Sequence, residues 1–210
     1  MWRGHNGNPM MTPKLQQAKG KEYWDSRFSE PGYAYGEQPN DFLRASCQHM
    51  AAGDVLSLCE GEGRNAVYLA RLGYRVTAID FSEVGLTKAR TLAAKHDVTI
   101  TTIIVDLADF DLGIARWDLV VSIFAQPPSA IRQRLYRQLQ QALRPHGRLV
   151  LESKVDVNAT GADRYPGAQI LREELAPLTI ALAREQEREL NEGHYHLGMQ
   201  RTVQIVAVNS

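Results

Sequence analysis

Net charge is the first thing this sequence lacks: 24 lysines and arginines balance 24 aspartates and glutamates. No global field gathers a polyanion before specific contacts form, so neither nucleic acid nor an anionic membrane surface is an expected partner. Cysteine is scarce too. The 2 that occur, Cys47 and Cys59, have no metal-ligand spacing and suggest no disulfide framework, which suits a reducing compartment. No apolar run is long enough to span a bilayer, and no signal-like apolar core opens the N-terminus. A soluble, cytoplasmic protein is expected, and 210 residues suit a single domain. Also missing is any tyrosine followed four residues later by lysine, the pair that a short-chain hydride-transfer enzyme uses.

What is present begins with a leader. Residues 1–20, MWRGHNGNPMMTPKLQQAKG, mix Gly, Asn, Pro and polar side chains without a period and are set aside as a flexible leader or expression remnant. From residue 21 to the C-terminus the texture is that of one folded domain. It opens with an aromatic and charged segment, KEYWDSRFSEPGYAYGEQPNDFL, expected as a helix and a loop. Short β-rich runs then alternate with helical ones. Strands are expected at 55–58, 75–80, 99–107, 117–125 and 147–153, with helices over 64–73, 82–97 and 131–147. Ser82 is placed to cap the second of these helices and Gly73 to close the first. The strands are too apolar for one wet face, which indicates a parallel sheet covered on both sides. Towards the end, AQILREELAP reads as a helix, and TIALAREQERELNEG and YHLGMQRTVQIVAV as two strands joined near Asn191-Glu192-Gly193. The expected fold class is therefore α/β: a doubly wound, mostly parallel, seven-stranded Rossmann-like sheet finished by a C-terminal antiparallel hairpin.

In such a sheet, ligands bind beyond the carboxyl ends of the strands. After the first strand, in LSLCEGEGRNAVYLA, Gly61 and Gly63 let backbone approach a ligand, and Arg64 and Asn65 begin a helix with free N–H groups. After the second comes Asp80, followed by Phe81, at the spacing that sets a carboxylate against a ribose diol. After the third, Asp106 is placed to accept from an adenine amine, with Leu107 as an apolar contact. A glycine pair alone fits any tight strand-to-helix turn, but three loops ending in acids converge on one adenosine-shaped ligand.

Two cofactors share that geometry. Gly61-x-Gly63-x-x-Ala66 satisfies the dinucleotide fingerprint with alanine last, which keeps an NAD-dependent oxidoreductase open. Against it stand the missing Tyr–Lys pair, the expected hairpin in place of a second mononucleotide half, and Glu60. A carboxylate directly before the first glycine repels a pyrophosphate but suits S-adenosylmethionine, with its amino group and sulfonium.

The run VLSLCEGEGRNAVYLARLGYRVTAIDFS, with VDLADFD and WDLVVSIF behind it, resembles the class I S-adenosylmethionine-dependent methyltransferases. YWDSRFS, YAYGEQPNDFL and the late ELNEGHYHLG look like the bacterial branch related to the tellurite-resistance methyltransferases, over about residues 21–207. The resemblance implies that Gly61 and Gly63 flank the methionine portion, Asp80 holds the ribose, Asp106-Leu107 frames the adenine, and Tyr35, Gly36 and Pro39-Asn40 close as a lid. Two positions depart from the superfamily: Ser57 stands where an acid is usual and Cys59 where a glycine is usual, with Glu60 available to supply the charge.

No catalytic residue is fixed by the sequence, and three candidates remain. Gln126-Pro127-Pro128-Ser129 compares with the Asp/Asn-Pro-Pro-aromatic loop of amino-methyltransferases, but Ser129 cannot stack, and a rigid turn explains it equally well. His194 and His196 are two apart and on a strand would share one side. They suit a solvent-facing pair, a substrate site or, without further ligands nearby, poorly a metal, and no metal site is expected. Trp24, Tyr33 and Tyr35 either close over a sulfonium or pack an N-terminal helix. With no acid/base pair evident beside the loops, the expected reaction is in-line methyl transfer to a small, soft nucleophile, a thiol or metalloid oxyanion, accelerated by alignment and exclusion of water. A non-catalytic module that binds S-adenosylmethionine or S-adenosylhomocysteine is the alternative from another class.

Overall fold

A computed structural model describes residues 20–155 and 165–210. Apart from Gly20, the expected leader lies outside the described residues. Two short helices, α1 (Lys21–Phe28) and α2 (Asp41–Cys47), precede the sheet. The chain then runs through β1 (Asp54–Leu58), α3 (Arg64–Arg71), β2 (Arg75–Asp80), α4 (Glu83–Lys95), β3 (Thr101–Ile104), β4 (Trp117–Ile123), α5 (Ser129–Ala142) and β5 (Leu143–Lys154). It ends with α6 (Ala168–Glu174), β6 (Thr179–Glu192) and β7 (His196–Val208). The strands form one seven-stranded sheet in the order β3-β2-β1-β4-β5-β7-β6. The first five are parallel; β7 enters antiparallel to β5 and pairs with β6 as a long hairpin.

Each central strand is buried on both faces, and the side-chain alternation feeds two cores. On β1, Leu56 and Leu58 join Leu149 and Leu151 of β5 in a core that includes Leu135 and Leu139 of α5. Val55 points the other way, with Val150, into a core shared with Val67 and Leu69 of α3 and Leu86 and Leu92 of α4. Each such leucine contributes about 1.5–3 kcal/mol by leaving water. Near-continuous apolar strands are what a two-sided burial demands.

Two elements differ from the sequence expectation. The helix expected over 131–147 stops at Ala142, and Leu143 already pairs with Trp117 as the start of β5. Pro145 disfavours helical geometry at Arg144 before it. The helix-end carbonyls of Gln141 and Ala142 accept instead from the N–H groups of Ala115 and Arg116, at 2.8 and 2.9 Å. The third strand is shorter than 99–107, leaving Asp106 in the loop beyond it.

The strand order reverses between β1 and β4, since β1 pairs with β2 on one side and β4 on the other. The glycine loop between β1 and α3 therefore sits at the switch point where open α/β sheets bind ligands. Backbone at Gly63 takes φ +94°, and a Cβ there would stand 2.7 Å from Ala89 of α4. Gly63→Ala combines a left-handed penalty of about 1–2 kcal/mol with an overpacking cost of about 1–3 kcal/mol. A loss of about 2–5 kcal/mol is expected by urea denaturation.

Candidate functional site

The glycine loop is fastened by its own acids. Glu60, buried at 8 % exposure, turns its Oε1 onto the backbone N–H groups of Asn65 and Ala66, at 3.0 and 2.9 Å. Its Oε2 accepts from the Ser57 hydroxyl. These N–H groups belong to the first turn of α3, so Glu60 does the work of an N-cap from upstream while Gly63, at the cap position, has no side chain to do it. Burial raises the Glu60 carboxyl above its ordinary range, against the pull of these hydrogen bonds. Cys59 adopts φ +49°, which explains why a glycine is at ease at that position. Desolvation and the neighbouring acids Asp80, Asp106 and Glu60 push its thiol up, so it is a poor nucleophile.

At the end of β2, Asp80 is buried and joined to two loops: Oδ2 accepts from Gly61 N–H at 2.9 Å and Oδ1 from Ser82 N–H at 2.8 Å. Burial raises its carboxyl to about 6, the Ser82, Gly61 and Phe81 backbone groups pulling the other way. A carboxylate offers about four acceptor positions. With three backbone groups acting on it, Asp80 therefore keeps acceptor capacity to spare. Phe81 is half-buried beside it. Beyond β3, Asp106 is exposed, with Oδ1 accepting from Ala108 N–H at 2.8 Å, while Leu107 is buried in the α5-side core.

Residues 30–40 cross over this loop. Glu62, buried inside the glycine motif, accepts from Ala34 N–H at 2.7 Å and pairs with Lys88 at 2.9 Å; Lys88 also donates to the carbonyls of Glu30 and Gly32. Asn65 is a fastening of the same kind, its carboxamide oxygen accepting from Asn40 N–H at 3.0 Å. Sequence reading passed over Glu62, although an acid between two loop glycines is the signal. Above the loop runs a row of rings. A Cβ on Gly61 would meet the Phe28 ring at 2.9 Å; Phe28 stacks on Trp24, 5.5 Å between centroids, and Trp24 lies 6.3 Å from Tyr35. Tyr35 is half-buried, and burial pushes its phenol up to about 12. Tyr33 does not belong to this row; it packs against the α3–α4 core instead.

The hairpin turn lands on the same cover. His194 N–H donates to Ala34 O at 2.9 Å, and Gly193, at φ +72°, lies so close to the Tyr35–Gly36 backbone that a Cβ has no room. Below the turn is a buried polar network. Glu152, fully buried at the end of β5, accepts from Asn40, from both Nε and Nη2 of Arg188, and from Gln204, at 2.6–2.8 Å. Glu192 accepts from Asn40 and Arg188 at 2.9 Å and pairs with Arg64 of α3 at 2.8 Å. Burial would raise the Glu192 carboxyl, but His196 and Arg64 outweigh it and hold it down to about 2.

The three catalytic candidates separate here. His194 and His196 do not share a side, because residues 193–195 are a turn and only His196 begins β7; His194 is exposed and His196 mostly buried. His196 packs between Tyr35 and Phe124, at 4.5 and 4.4 Å between centroids, with Nδ1 3.7 Å from Glu192 Oε2. Gln126 donates to Ser153 Oγ at 3.2 Å, in a small depression it shares with Tyr136 and Leu171 on the α5–α6 side. Ser153 and Glu152 alternate along β5, so Gln126 and the Glu152 network lie on opposite faces of the sheet. Among the described residues no group of three or more His, Cys, Asp or Glu gathers as a metal site, and no helix is long and apolar enough to cross a membrane.

Comparison with known proteins bears on residues 55–147, which match a family model described as a methyltransferase domain. A search of curated proteins finds no match. Among solved structures, one from work on the conversion of a disulfide bond into a thioacetal group during echinomycin biosynthesis superposes with a TM-score of 0.74 at 19% identity, over 90% of this chain and 91% of that one. The N-methyltransferase NodS from Bradyrhizobium japonicum, in complex with S-adenosyl-L-homocysteine, gives 0.70 at 17% identity over 91% and 99%. TehB from Haemophilus influenzae gives 0.69 at 16% over 90% and 67%. Residues 55–147 are thus similar to a methyltransferase domain, and the chain shares the Rossmann-like fold of these proteins.

Because fully buried Glu152 takes four hydrogen bonds, removing it leaves Arg188 Nε and the Gln204 amide without their acceptor in the interior, while Arg188 Nη2 and Asn40 keep only Glu192. Glu152→Ala is expected to cost about 3–5 kcal/mol, read as a lowered denaturation midpoint, whereas Glu187→Ala on the exposed side of β6 shifts it little.

Proposed function

We propose that the chain is an S-adenosylmethionine-dependent methyltransferase acting on a small-molecule acceptor. One observation carries the choice of cofactor: the N-terminus of α3 is already filled by the Glu60 carboxylate. A dinucleotide places its pyrophosphate on those N–H groups. Here it would displace one buried negative charge with another. S-adenosylmethionine has no phosphate and leaves Glu60 in place, so the NAD reading gives way. The hairpin β6–β7, standing where a dinucleotide fold has more of its second half, argues the same way.

The donor set suits the rest of the molecule. Asp80 keeps acceptor capacity for the ribose diol beyond its backbone donors, with Phe81 beside it. Asp106 and Leu107 flank the adenine, and Gly61, Gly63, Asn65 and Glu60 shape the loop under the methionine portion. Tyr35 and Trp24 offer ring faces that attract a sulfonium. When bound, S-adenosylmethionine supplies an electrophilic methyl group. The protein orients an acceptor opposite the sulfur and excludes water, which residues 30–40 do by closing over the loop.

The finer assignments follow the same reading. The acceptor is a soft nucleophile, a thiol or a metalloid oxyanion, and the N-terminal YWDSRFS and late ELNEGHYHLG segments support the tellurite-resistance-like branch. Residues 21–210 act as one domain in the cytoplasm.

Two measurements test the cofactor. Asp80→Ala removes two charge-assisted hydrogen bonds at about 1.5–3 kcal/mol each, so S-adenosylhomocysteine affinity by calorimetry should fall about 100-fold or more; unchanged affinity would falsify the assignment. The ionised carboxylate is the accepting form, and burial raises its pKa to about 6. Affinity should therefore hold above neutrality and weaken about tenfold between pH 8 and pH 5.

A further inference from the structure

The part of the site away from the ribose says what kind of acceptor enters, given the methyltransferase reading. The order β3-β2-β1-β4 lays a ligand out strand by strand. Adenine falls beyond β3 at Asp106, the diol beyond β2 at Asp80, and the amino-acid part beyond β1 at the glycine loop. One further strand spacing, about 5 Å, leads to the end of β4. Phe124 stands there in a left-handed conformation, φ +53°, an expensive state for an aromatic residue and one that clusters at functional sites. Its ring meets His196 edge-on, and Tyr35 of the cover closes the other side.

His196 has the form of a base aimed into that space. Its Nδ1 is buried, has no hydrogen-bond partner, and faces Glu192 Oε2 at 3.7 Å, one small movement from bonding. Nε2 is not among the buried partnerless atoms, so it is the nitrogen left open. The guanidiniums on this side are already matched by carboxylates. Arg64 is paired with Glu192, and Arg188 forks Glu152 and reaches Glu192, so two guanidiniums meet two carboxylates. Lys154, the other cation near the ring, is not free either. An oxyanion entering here would be desolvated with no uncompensated arginine to receive it.

We propose that His196 is the general base of this enzyme, and that the acceptor is an uncharged small molecule carrying the proton it must lose, a thiol foremost, in preference to a metalloid oxyanion. The acceptor's S–H proton passes to Nε2 of His196 as its sulfur forms the new S–CH3 bond. The methyl–sulfonium bond breaks with its electron pair returning to the cofactor sulfur, giving a methyl thioether, S-adenosylhomocysteine and imidazolium, which releases its proton to water. Glu192 is a positioning residue: it fixes the tautomer through Nδ1–H and stabilises the imidazolium. Four titratable or charged groups face the ring: Glu192 from β6, Arg64 from α3, Lys154 from β5 and Tyr35 from the cover. Burial, Lys154 and Arg64 lower the His196 pKa against the pull of Glu192, which keeps the imidazole neutral and able to accept at pH 7.

The test pairs an acceptor-independent readout with a kinetic one. S-adenosylhomocysteine binding is measured by calorimetry, and the histidine ring resonances by NMR with and without it. The His196 signals should shift on binding while those of exposed His146 do not. Binding without any movement of His196 overturns the proposal; absence of binding overturns the cofactor reading instead. For turnover, dithiothreitol, phenol, selenite and tellurite are supplied with S-adenosylmethionine. An uncharged acceptor should be methylated, and His196→Gln should lower kcat about 100-fold, with S-adenosylhomocysteine affinity within threefold of wild type. Imidazole should partly rescue His196→Ala. Turnover of only selenite or tellurite, or turnover of any acceptor that survives His196→Gln, rules the base out.

Discussion

A negative charge with no access to water, Glu152 at the end of β5, organises the ligand side of this sheet. Leaving a carboxylate in the interior costs several kcal/mol unless donors surround it. Those donors come from three distant parts of the chain: Asn40 before α2, Arg188 on β6 and Gln204 on β7. Satisfying Glu152 therefore fixes where the cover and the hairpin meet the parallel sheet. Replacing such a network with apolar residues can be as stable, so its value lies in register. One slip of the β6–β7 hairpin would move Arg188 and Gln204 to the other face.

From that anchor the coupling runs to the glycine loop by short steps. Arg188 and Asn40 also hold Glu192, Glu192 holds Arg64, and Arg64 opens α3, whose first turn is closed by Glu60. The cover is attached at both ends of the same loop, through Glu62 to Ala34 and through Asn65 to Asn40. Acids that read as ligand contacts in isolation thus divide in the fold. Glu60 and Glu62 have their oxygens committed to protein donors, while Asp80 keeps acceptor capacity to spare.

Much of the scaffold was legible beforehand. Apolar runs bounded by Gly and by a capping serine mark β1, β2, α3 and α4, because burial on both faces leaves no other pattern for those strands. The positions of Gly61, Gly63 and Asp80 followed from the same spacing. Misreadings came where a local signal lost to long-range pairing: Leu143 joins Trp117 instead of extending α5, and His194 sits in a turn that the strand period of 2 does not describe.

The sequence by itself determined the sheet, its switch point and the loops that end beyond it, since periodicity and caps are properties of neighbouring residues. Only the tertiary structure decided the division of labour at the site. Residues 40, 64, 152, 188 and 192 are far apart in the chain, and nothing local says that their charges will cancel. The same holds for His196, whose nitrogen gains meaning only when Phe124, Tyr35 and Glu192 arrive from three other segments and exclude water from one side of its ring.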